Sequence, residues 1–391
     1  MKRSTVLRTA LLAAFLGSAA LAANSALEPF LVANDDLASP SPANSLTFYT
    51  IAADGRLTRP VSVPSGGYGI AGGYFGFARV LVVPEGADAC VYASNSQSKN
   101  IVSIQAGARK RVGAFRESHP NRTMATNGVG LAANARYLYA AFSGSGNTGT
   151  FEIEGGCTLE FVGNVHMQGR NGGSVVGMAV HKGLMVVAYG DGSIESFNIS
   201  GGLPVSNGDA QNATGYQDEH LPDAVDITQD GHYAIFGDAS EATTVQVSDI
   251  SSGKLTPTVV YSLGAAWNSS SVRLSPDESV LYISNSSGGR VTAAFFDKST
   301  GKVRKGCTSS PLKGFYTKFA YAGAVATQLA TGTGGLLYVP EFGTGSQSFI
   351  GVLRFAATPT GCTLTETEDS PVAGTRSSAL LSIGVYPPRP F

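Results

Sequence analysis

The chain has 391 residues, with 27 lysines and arginines against 28 aspartates and glutamates, so its formal net charge is −1. This balance gives no electrostatic reason to expect nucleic acid or an anionic membrane surface as a partner. Charged residues make up only 14% of the chain and 49 residues are glycine. That composition is typical of a sheet protein with many tight turns.

The first segment has the pattern of an export signal. Basic residues between positions 2 and 8 precede an apolar run, and Ala20-Leu21-Ala22 fits the small-x-small cleavage rule. A short membrane anchor is the alternative reading, but the run is short for a bilayer span and no second one follows. We therefore expect residues 1–22 to be a signal peptide and residues 23–391 to form one domain without a membrane span. The expected location is secreted or periplasmic.

One kind of short apolar segment then recurs seven times, preceded by a turn and followed by small or polar residues. Its third apolar positions are Val32, Tyr92, Tyr139, Val187, Ile235, Tyr282 and Tyr338. A turn glycine follows each copy, after a segment that alternates in the manner of a strand: Gly55, Gly107, Gly156, Gly202, Gly253, Gly301 and Gly361. The two markers alternate strictly, and four of the six intervals between the first markers are 47 or 48 residues.

A unit of this length with four short strands matches one blade of a β-propeller. The best-preserved copy has an inner strand at 272–277, a second at 280–285, a third at 290–297 and an outer edge strand from Lys302. The sequence therefore predicts an all-β, seven-bladed propeller with four-stranded antiparallel blades.

The ends of the chain predict how the ring closes. Too few residues precede Phe30 to supply an inner strand for the first blade, whereas residues 379–385 form a spare strand at the other end. We expect this C-terminal strand to complete the first blade, which would leave no open sheet edge. The Gly-rich stretch at 66–73 has no Lys-Ser/Thr ending typical of a phosphate loop, and we expect it to form a flexible flap beside the channel.

The chain has four cysteines, and none lies in a C-x-x-C pair, so zinc and redox motifs are weakly indicated. An even count in an exported protein favours two disulfides. Three pairings exist; we favour Cys90–Cys157 with Cys307–Cys362, because each then links neighbouring blades. Free buried thiols are the alternative.

The blade motifs resemble those of a known family. Val272-Arg273-Leu274-Ser275-Pro276-Asp277 followed by Leu281-Tyr282-Ile283-Ser284-Asn285 resembles the "SPDG…LYVSN" repeat of the lactonase-like propellers, which include 6-phosphogluconolactonases of the cycloisomerase 2 type and YVTN-repeat surface-layer proteins. Residues 297–303, "DKSTGKV", are similar to the "D..TGKL" turn of that family. The resemblance implies the propeller fold over nearly the whole mature chain and, for the enzymes in the family, hydrolysis of sugar lactones or cycloisomerisation of muconates.

Candidate site residues follow from the blade register, since propeller ligands usually bind where loops enter the inner strands and where loops join the second and third strands. His220 is the first candidate for a general acid or base, because its unperturbed pKa lies near neutrality. Glu219 could orient it. Shifting by one blade places Trp267 opposite His220, and shifting back by two reaches Met124. A solvated loop without a role is the alternative reading.

The equivalent loops of earlier blades each carry a histidine and an arginine. These are His119 with Arg122, and His166 with Arg170. Arginine can bind a carboxylate through two parallel hydrogen bonds, so such loops suit an acid or a lactone carbonyl. We assign His166 and Arg170 to the catalytic set, and His119, Arg122 and Trp267 to substrate binding. Ordinary solvated loops remain the alternative.

Acidic residues also collect on the loops after the second strands. They are Asp35, Asp36, Asp191, Asp238, Glu241 and Glu341. Glu341 is assigned to substrate binding. Several acids around one mouth could bind a divalent cation, although no Asp-x-Asp loop of calcium spacing occurs and no residue is assigned as a metal ligand. On the inner strands, Asp226 and Arg273 share a register one blade apart, and we expect a structural ion pair.

Two functions remain open. One is an enzyme that hydrolyses or isomerises a small lactone or carboxylic acid at the channel mouth. The other is a non-catalytic propeller that binds an envelope protein or a glycan, since the clear motifs are structural. We expect a monomer in either case. The sequence has no Gly-x-Ser-x-Gly elbow and no His-Glu-x-x-His zinc motif.

Overall fold

The computed structural model describes residues 27–40, 43–70, 78–116, 129–142, 145–213, 222–238, 243–264, 269–285, 289–314, 326–328, 335–341, 348–374 and 382–388. Within them the chain forms 30 β-strands and one short 3₁₀ turn at Gly155–Cys157, grouped into seven antiparallel sheets. The expected seven-bladed propeller is confirmed. The described residues contain no helix long and apolar enough to cross a membrane.

The strands follow the chain blade by blade. Blades 1 to 4 contain β1 (Phe30–Asn34), β2 (Ser45–Ile51), β3 (Leu57–Pro64); β4 (Val80–Glu85), β5 (Asp88–Asn95), β6 (Asn100–Gln105), β7 (Lys110–Phe115); β8 (Val129–Ala133), β9 (Tyr137–Phe142), β10 (Asn147–Glu154), β11 (Thr158–His166); and β12 (Val175–His181), β13 (Leu184–Tyr189), β14 (Ser193–Asn198), β15 (Val205–Ser206), β16 (Gln211–Asn212).

Blades 5 to 7 continue in the same manner, and the last strand returns to blade 1. They contain β17 (Pro222–Ile227), β18 (Tyr233–Asp238), β19 (Thr244–Asp249), β20 (Val259–Ser262); β21 (Ser269–Leu274), β22 (Val280–Asn285), β23 (Arg290–Asp297), β24 (Lys302–Thr308); and β25 (Ala326–Gln328), β26 (Gly335–Glu341), β27 (Phe349–Thr358), β28 (Gly361–Glu366), β29 (Val372–Ala373), with β30 (Ser382–Tyr386).

Both faces of each blade are apolar, because each is packed between two neighbours. In β1, Phe30 and Val32 pack against blade 2, whereas Leu31 and Ala33 pack against blade 7. Successive side chains of a strand point to opposite faces, so a continuous apolar run supplies both interfaces at once. The described residues form seven hydrophobic clusters, one at each interface between blades. This explains why the repeated segments lack the polar alternation of a half-exposed strand.

The C-terminal strand closes the ring as expected. β30 pairs antiparallel with β1, with Val385 opposite Leu31 and Ser382 opposite Asn34. It is the inner strand of blade 1, and it contacts the inner strands of blades 2 and 7. The observed strand begins at Ser382, and the earlier part of the predicted strand, 379–381, lies outside the described residues.

Two blades depart from the simple four-stranded pattern. In blade 4 both β15 and β16 pair with β14, and in blade 7 both β28 and β29 pair with β27. The outer strand is therefore split into two pieces. In blade 7 the break contains Pro371, which has no N–H to donate to the ladder. In blade 4 it contains Gly208, which has a left-handed backbone.

Disulfides join two pairs of neighbouring blades. Cys90 of blade 2 is bonded to Cys157 of blade 3, and Cys307 of blade 6 to Cys362 of blade 7. This is the expected pairing, and no free cysteine remains. Cross-links that close loops of 67 and 55 residues restrict the unfolded chain, and removing such a bond typically costs about 2–5 kcal/mol.

Candidate active site at the blade 6–blade 7 boundary

One face of the ring, termed the entry face, carries the segments that enter the inner strands and the loops that join second and third strands. In five of the seven blades a polar residue lies at this face at the end of the second strand or, in blade 1, directly after it: Asp35, Asn95, Asp238, Asn285 and Glu341. Each of these side chains is almost fully buried. Buried polar groups need hydrogen-bond partners, so their surroundings show which ones are structural.

In blades 1, 5 and 6 the buried side chain is held by a polar ladder that crosses the sheet. The strand-end residue bonds a third-strand residue, which bonds a fourth-strand residue. The ladders are Asp35–Thr47–Ser62, Asp238–Gln246–Thr258 and Asn285–Thr292–Thr308. In blade 2, Asn95 instead bonds Asn44, Ser65 and Asn100. These four residues therefore have a structural role in joining strands.

Among the residues of blade 7 that the structure describes, no such ladder is present. Thr47, Gln246 and Thr292 occupy equivalent third-strand positions, each paired with the residue two before Asp35, Asp238 or Asn285. The corresponding residue of blade 7 is Gly351, opposite Val339. A glycine offers no side chain to bond Glu341, and it leaves space for that carboxyl group. A Cβ atom on Gly351 would lie 1.9 Å from Glu341 Oε1.

A second glycine approaches Glu341 from blade 6. A Cβ atom on Gly314, in the segment after β24, would lie 2.3 Å from Glu341 Oε2. The Gly314 peptide N–H favours the ionised carboxylate, but within the described part of the chain neither carboxyl oxygen completes a well-formed hydrogen bond. The group is thus enclosed between two backbone surfaces.

The electrostatic surroundings keep Glu341 protonated near neutral pH. Its side chain extends the face formed by Leu337 and Val339, which belong to the apolar core between blades 6 and 7. Burial raises the pKa of Glu341 to about 8, and the nearby carboxylate of Glu366 contributes, whereas Gly314 and Lys313 act in the opposite direction. A carboxyl group with a pKa near 8 can donate or accept a proton under physiological conditions.

The other site residues expected from the sequence divide into two groups. His119, Arg122, Glu219, His220 and Trp267, together with Met124 and Glu241, lie outside the described residues. His166 and Arg170 are described and exposed, at the boundary of blades 3 and 4, across the ring from Glu341. The structure therefore does not bring His166 and Arg170 together with Glu341.

The segment that carries Arg170 is ordered by Asp191. The Asp191 carboxylate accepts the peptide N–H groups of Asn171 and Gly173 and both donors of Ser193. Burial by itself would raise the pKa of Asp191, but these hydrogen bonds outweigh it and hold the pKa below the ordinary value. His166 lies within 3.4 Å of Asn147 Oδ1. These contacts give the segment a defined backbone while the Arg170 side chain stays exposed.

Ion pairs join neighbouring blades, and two of them involve acids named from the sequence. The expected pair of Asp226 and Arg273 is present, with 3.7 Å between Oδ1 and the guanidinium, and Asp226 also accepts the Leu274 N–H at 2.9 Å. A buried pair of Asp36 and Arg79 links blades 1 and 2. Sequence reasoning named Asp36 but missed Arg79, which the chain places 43 residues away.

The Gly-rich stretch expected to be a flap is fastened at its beginning. The peptide N–H of Tyr68 donates to Ser98, and Ile70 donates to Asp36. A side chain at Gly69 would meet the backbone of Asp36. Residues 65–70 are thus attached to blades 1 and 2, so the expected flexibility does not apply to them, and 71–77 lie outside the described residues.

Other clusters are weaker candidates. A groove of about 430 Å³ lies on the opposite face between blades 4 and 5, beside His181, Lys182, Asp230 and Lys254. Several of its polar groups complete local turns, as Asp230 does with Thr228. Glu85, Cys90 and Cys157 lie close enough to surround a metal ion, but the two cysteines are joined to each other and have no thiolate to offer.

Comparisons with known proteins agree with this architecture. The family model described as "Lactonase, 7-bladed beta-propeller" matches residues 92–376, well over half of the chain. No curated protein matches the chain by sequence. Among solved structures, the periplasmic gluconolactonase PpgL of Pseudomonas aeruginosa is 14% identical, with a TM-score of 0.66 over 91% of this chain and 99% of that one.

Two further structures have similar scores. A candidate 6-phosphogluconolactonase of Bacteroides fragilis is 13% identical, with a TM-score of 0.64 over 92% of this chain and 98% of that chain. A hypothetical selenium-binding protein of Sulfolobus tokodaii is 9% identical, with a TM-score of 0.65 over 92% and 94%. At these identities the structural likeness shows the fold alone. The family match, the seven blades and the closing C-terminal strand lead to one assignment: the chain belongs to the family of seven-bladed β-propeller lactonases.

Proposed function

We propose that this protein hydrolyses or isomerises a small lactone or carboxylic acid at the entry face, with Glu341 as the group that transfers the proton. The observation that carries the proposal is the environment of Glu341, a buried carboxyl group that lies against Gly351, has no side-chain ladder among the described residues and has a pKa raised to about 8. Membership of the lactonase family supports the reaction class.

Lactone hydrolysis needs a proton at a defined place. Water adds to the carbonyl carbon, the bond from that carbon to the ring oxygen breaks, and the ring oxygen takes up a proton as it becomes a hydroxyl group. Glu341 is protonated below about pH 8 and can supply that proton, after which the proton released by the attacking water restores it. The reaction therefore balances as lactone plus water to hydroxy acid.

The test is a pH-stat assay against sugar lactones, aliphatic lactones and muconates, each with and without Ca²⁺ or Mg²⁺, since a divalent cation could take part. Glu341→Gln keeps the shape of the side chain but cannot transfer the proton, and we expect turnover to fall by about 10²–10⁴-fold. Glu278→Gln is the matched control, because Glu278 is also buried but lies at a turn on the opposite face. Equal turnover in the Glu341→Gln variant and the wild type would refute the role of Glu341.

The same assay includes His220→Ala, because the sequence assigns His220 as a general acid or base. Loss of turnover in that variant with the fold retained would add His220 to the site. Unchanged turnover would remove it.

A non-catalytic binding role is the second candidate. It is favoured by the groove between blades 4 and 5, whose lining of hydroxyl, amide and charged groups suits an envelope protein or a glycan. A well-folded monomer that turns over no lactone and co-purifies with such a partner would support this role over catalysis.

We also propose that the protein is exported and works in the periplasm or outside the cell. The basic and apolar start of the chain and the two disulfides support this location, since disulfides persist in oxidising compartments. Mass spectrometry of the native protein tests it. A mature chain that starts near Ala23 and has no free thiol is expected, and an intact Met1 terminus with four free thiols would refute it.

A further inference from the structure

Blades 6 and 7 are fastened together beside Glu341 by Lys313. Its peptide N–H donates to Glu366 Oε2 at 3.0 Å, and its ammonium group donates to the carbonyl oxygens of Thr367 at 3.3 Å and Ser370 at 3.1 Å. Lys313 belongs to the segment that leaves blade 6, whereas Glu366 ends β28 of blade 7 and Thr367 and Ser370 follow it. One residue thus makes three contacts across the boundary.

The acceptor side of this contact is held in place as well. Glu366 Oε1 accepts the Ser370 hydroxyl at 2.7 Å, and the Ser370 oxygen accepts the N–H of Val352 on β27 at 2.8 Å. Val352 is the neighbour of Gly351, against which the Glu341 carboxyl lies. The carboxylate of Glu366 therefore has a defined position relative to the strand that backs Glu341.

The donor side reaches Glu341 directly. Gly314 follows Lys313 in the chain, and its backbone closes over Glu341 Oε2. On the other side, Leu312 is buried in the core between blades 6 and 7 and donates its N–H to Gly289. With Leu312 and Lys313 both anchored, the position of Gly314 is set.

We propose that the Lys313–Glu366 contact is a positioning device that holds Gly314 over the Glu341 carboxyl group and places two side chains of opposite charge near it. The inference rests on the proposed function for its catalytic meaning, but it concerns the chemistry of Glu341 itself. Within the described residues, Glu366 and Lys313 are the charged side chains that act on Glu341, while β26 and β27 present Val339, Gly351 and Leu353 to it.

The two members of the pair act in opposite directions, and this makes the proposal testable. Glu366 disfavours a second negative charge nearby and so raises the pKa of Glu341, whereas Lys313 favours that charge and lowers the pKa. Removing each charge should therefore shift the titration of Glu341 in opposite senses. A purely structural contact would produce no such opposition.

The experiment is a pH titration of Glu341 by difference infrared spectroscopy, in which the Glu341→Gln spectrum is subtracted to isolate its carboxyl band. Glu366→Gln keeps the shape of the side chain and one acceptor oxygen but loses the charge, so the midpoint should move to lower pH. Lys313→Met keeps the peptide N–H but loses the ammonium group, so the midpoint should move to higher pH. Lys313→Arg retains the positive charge and should restore much of the wild-type midpoint.

The outcomes separate this proposal from the proposed function. Opposite shifts support the positioning device even if no lactone is turned over, in which case the catalytic proposal fails alone. Shifts in the same direction, or an unmoved midpoint in both variants, overturn the positioning device even if the wild-type protein is a lactonase. Thermal unfolding of each variant verifies that the comparison is made between folded proteins.

Discussion

The carboxyl group of Glu341 lies against the bare backbone of Gly351, at the position where blades 1, 5 and 6 carry a hydrogen-bonding side chain. In all four blades a polar residue lies at or directly after the end of the second strand. What distinguishes blade 7 is the residue of the third strand, which is Gly351. A single glycine converts a structural position into an enclosed carboxyl group that can exchange a proton.

Gly351→Ala should be destabilising, because its Cβ atom would lie 1.9 Å from Glu341 Oε1 and force the carboxyl group to move. Overpacking of this kind typically costs about 1–3 kcal/mol. We expect a loss of that size in the free energy of unfolding, which urea unfolding would measure. Gly361→Ala, at a turn of the same blade where an added Cβ meets nothing within 4 Å, is the matched control. Its free energy of unfolding should change by less than about 0.5 kcal/mol. Equal losses in the two variants would contradict the close approach.

Stability should fall as the pH rises through the range in which Glu341 is protonated only in the folded state. Its pKa is about 8 in the folded protein, against 4.5 for an ordinary exposed glutamate, so between these values the folded state holds one proton more than the unfolded state. The contribution of this group to the free energy of unfolding then decreases by about 1.4 kcal/mol per pH unit in that window.

Glu341→Gln should remove this dependence. We would measure the free energy of unfolding of the variant and of the wild type at pH 5 and pH 8. Between these two values the variant should become more stable relative to the wild type. Parallel curves for the two proteins across this range would mean that Glu341 titrates at its ordinary pKa.

Closure of the ring predicts that the end of the chain stabilises the whole protein. A chain that ends before Ser382 loses β30 and leaves the edge of β1 unpaired. We expect a large drop in melting temperature in a single transition, whereas a chain that ends at Tyr386 keeps the strand and the stacking on Phe30 and should change little. Ile383→Ala, which removes a buried side chain from β30, should cost about 2–5 kcal/mol.

Replacing Asp226 should destabilise the protein more than replacing its ion-pair partner Arg273. Asp226 is buried and accepts the peptide N–H groups of Leu274 and Ile227, so Asp226→Ala removes the acceptor of both hydrogen bonds and should cost about 1–3 kcal/mol. Arg273 is one-third exposed and 3.7 Å away, so Arg273→Ala should cost about 0–1 kcal/mol. Equal costs in chemical denaturation would show that the ion pair, and not the backbone contacts, dominates.

Much of the fold could be predicted because its signals repeat. Each blade carries an apolar strand and a turn glycine at a regular interval, so the number of blades and their order can be read along the chain. The same register placed Cys90 beside Cys157, Cys307 beside Cys362, and Asp226 beside Arg273, and all three pairs are present. The closing strand could be predicted because blade 1 lacked an inner strand and the chain end supplied one.

The candidate site could be predicted from the sequence only in part. Glu341 could be named as an acid on a loop of the entry face, but so could Asp35 and Asp238. The sequence signal that distinguishes it, Gly351 in place of Thr47 or Gln246, has a meaning only once the strand register is known. Hydrogen bonds of Asp35 to Thr47 and of Asp238 to Gln246 make those two structural. Histidines drew attention because their unperturbed pKa is near neutral, whereas Glu341 reaches that range only through its surroundings.

The sequence by itself determined the seven blades and the closure, because strand patterns and turns are local and recur at a fixed spacing. It favoured the disulfide pairing that the structure contains, among three that were possible. The tertiary structure decided which acid is chemically distinct. Burial, the nearby charge of Glu366 and the close approach of Gly314 and Gly351 come from segments that meet only when blades 6 and 7 pack together. A pKa depends on the solvent and charge around a group, and those are properties of the packed molecule.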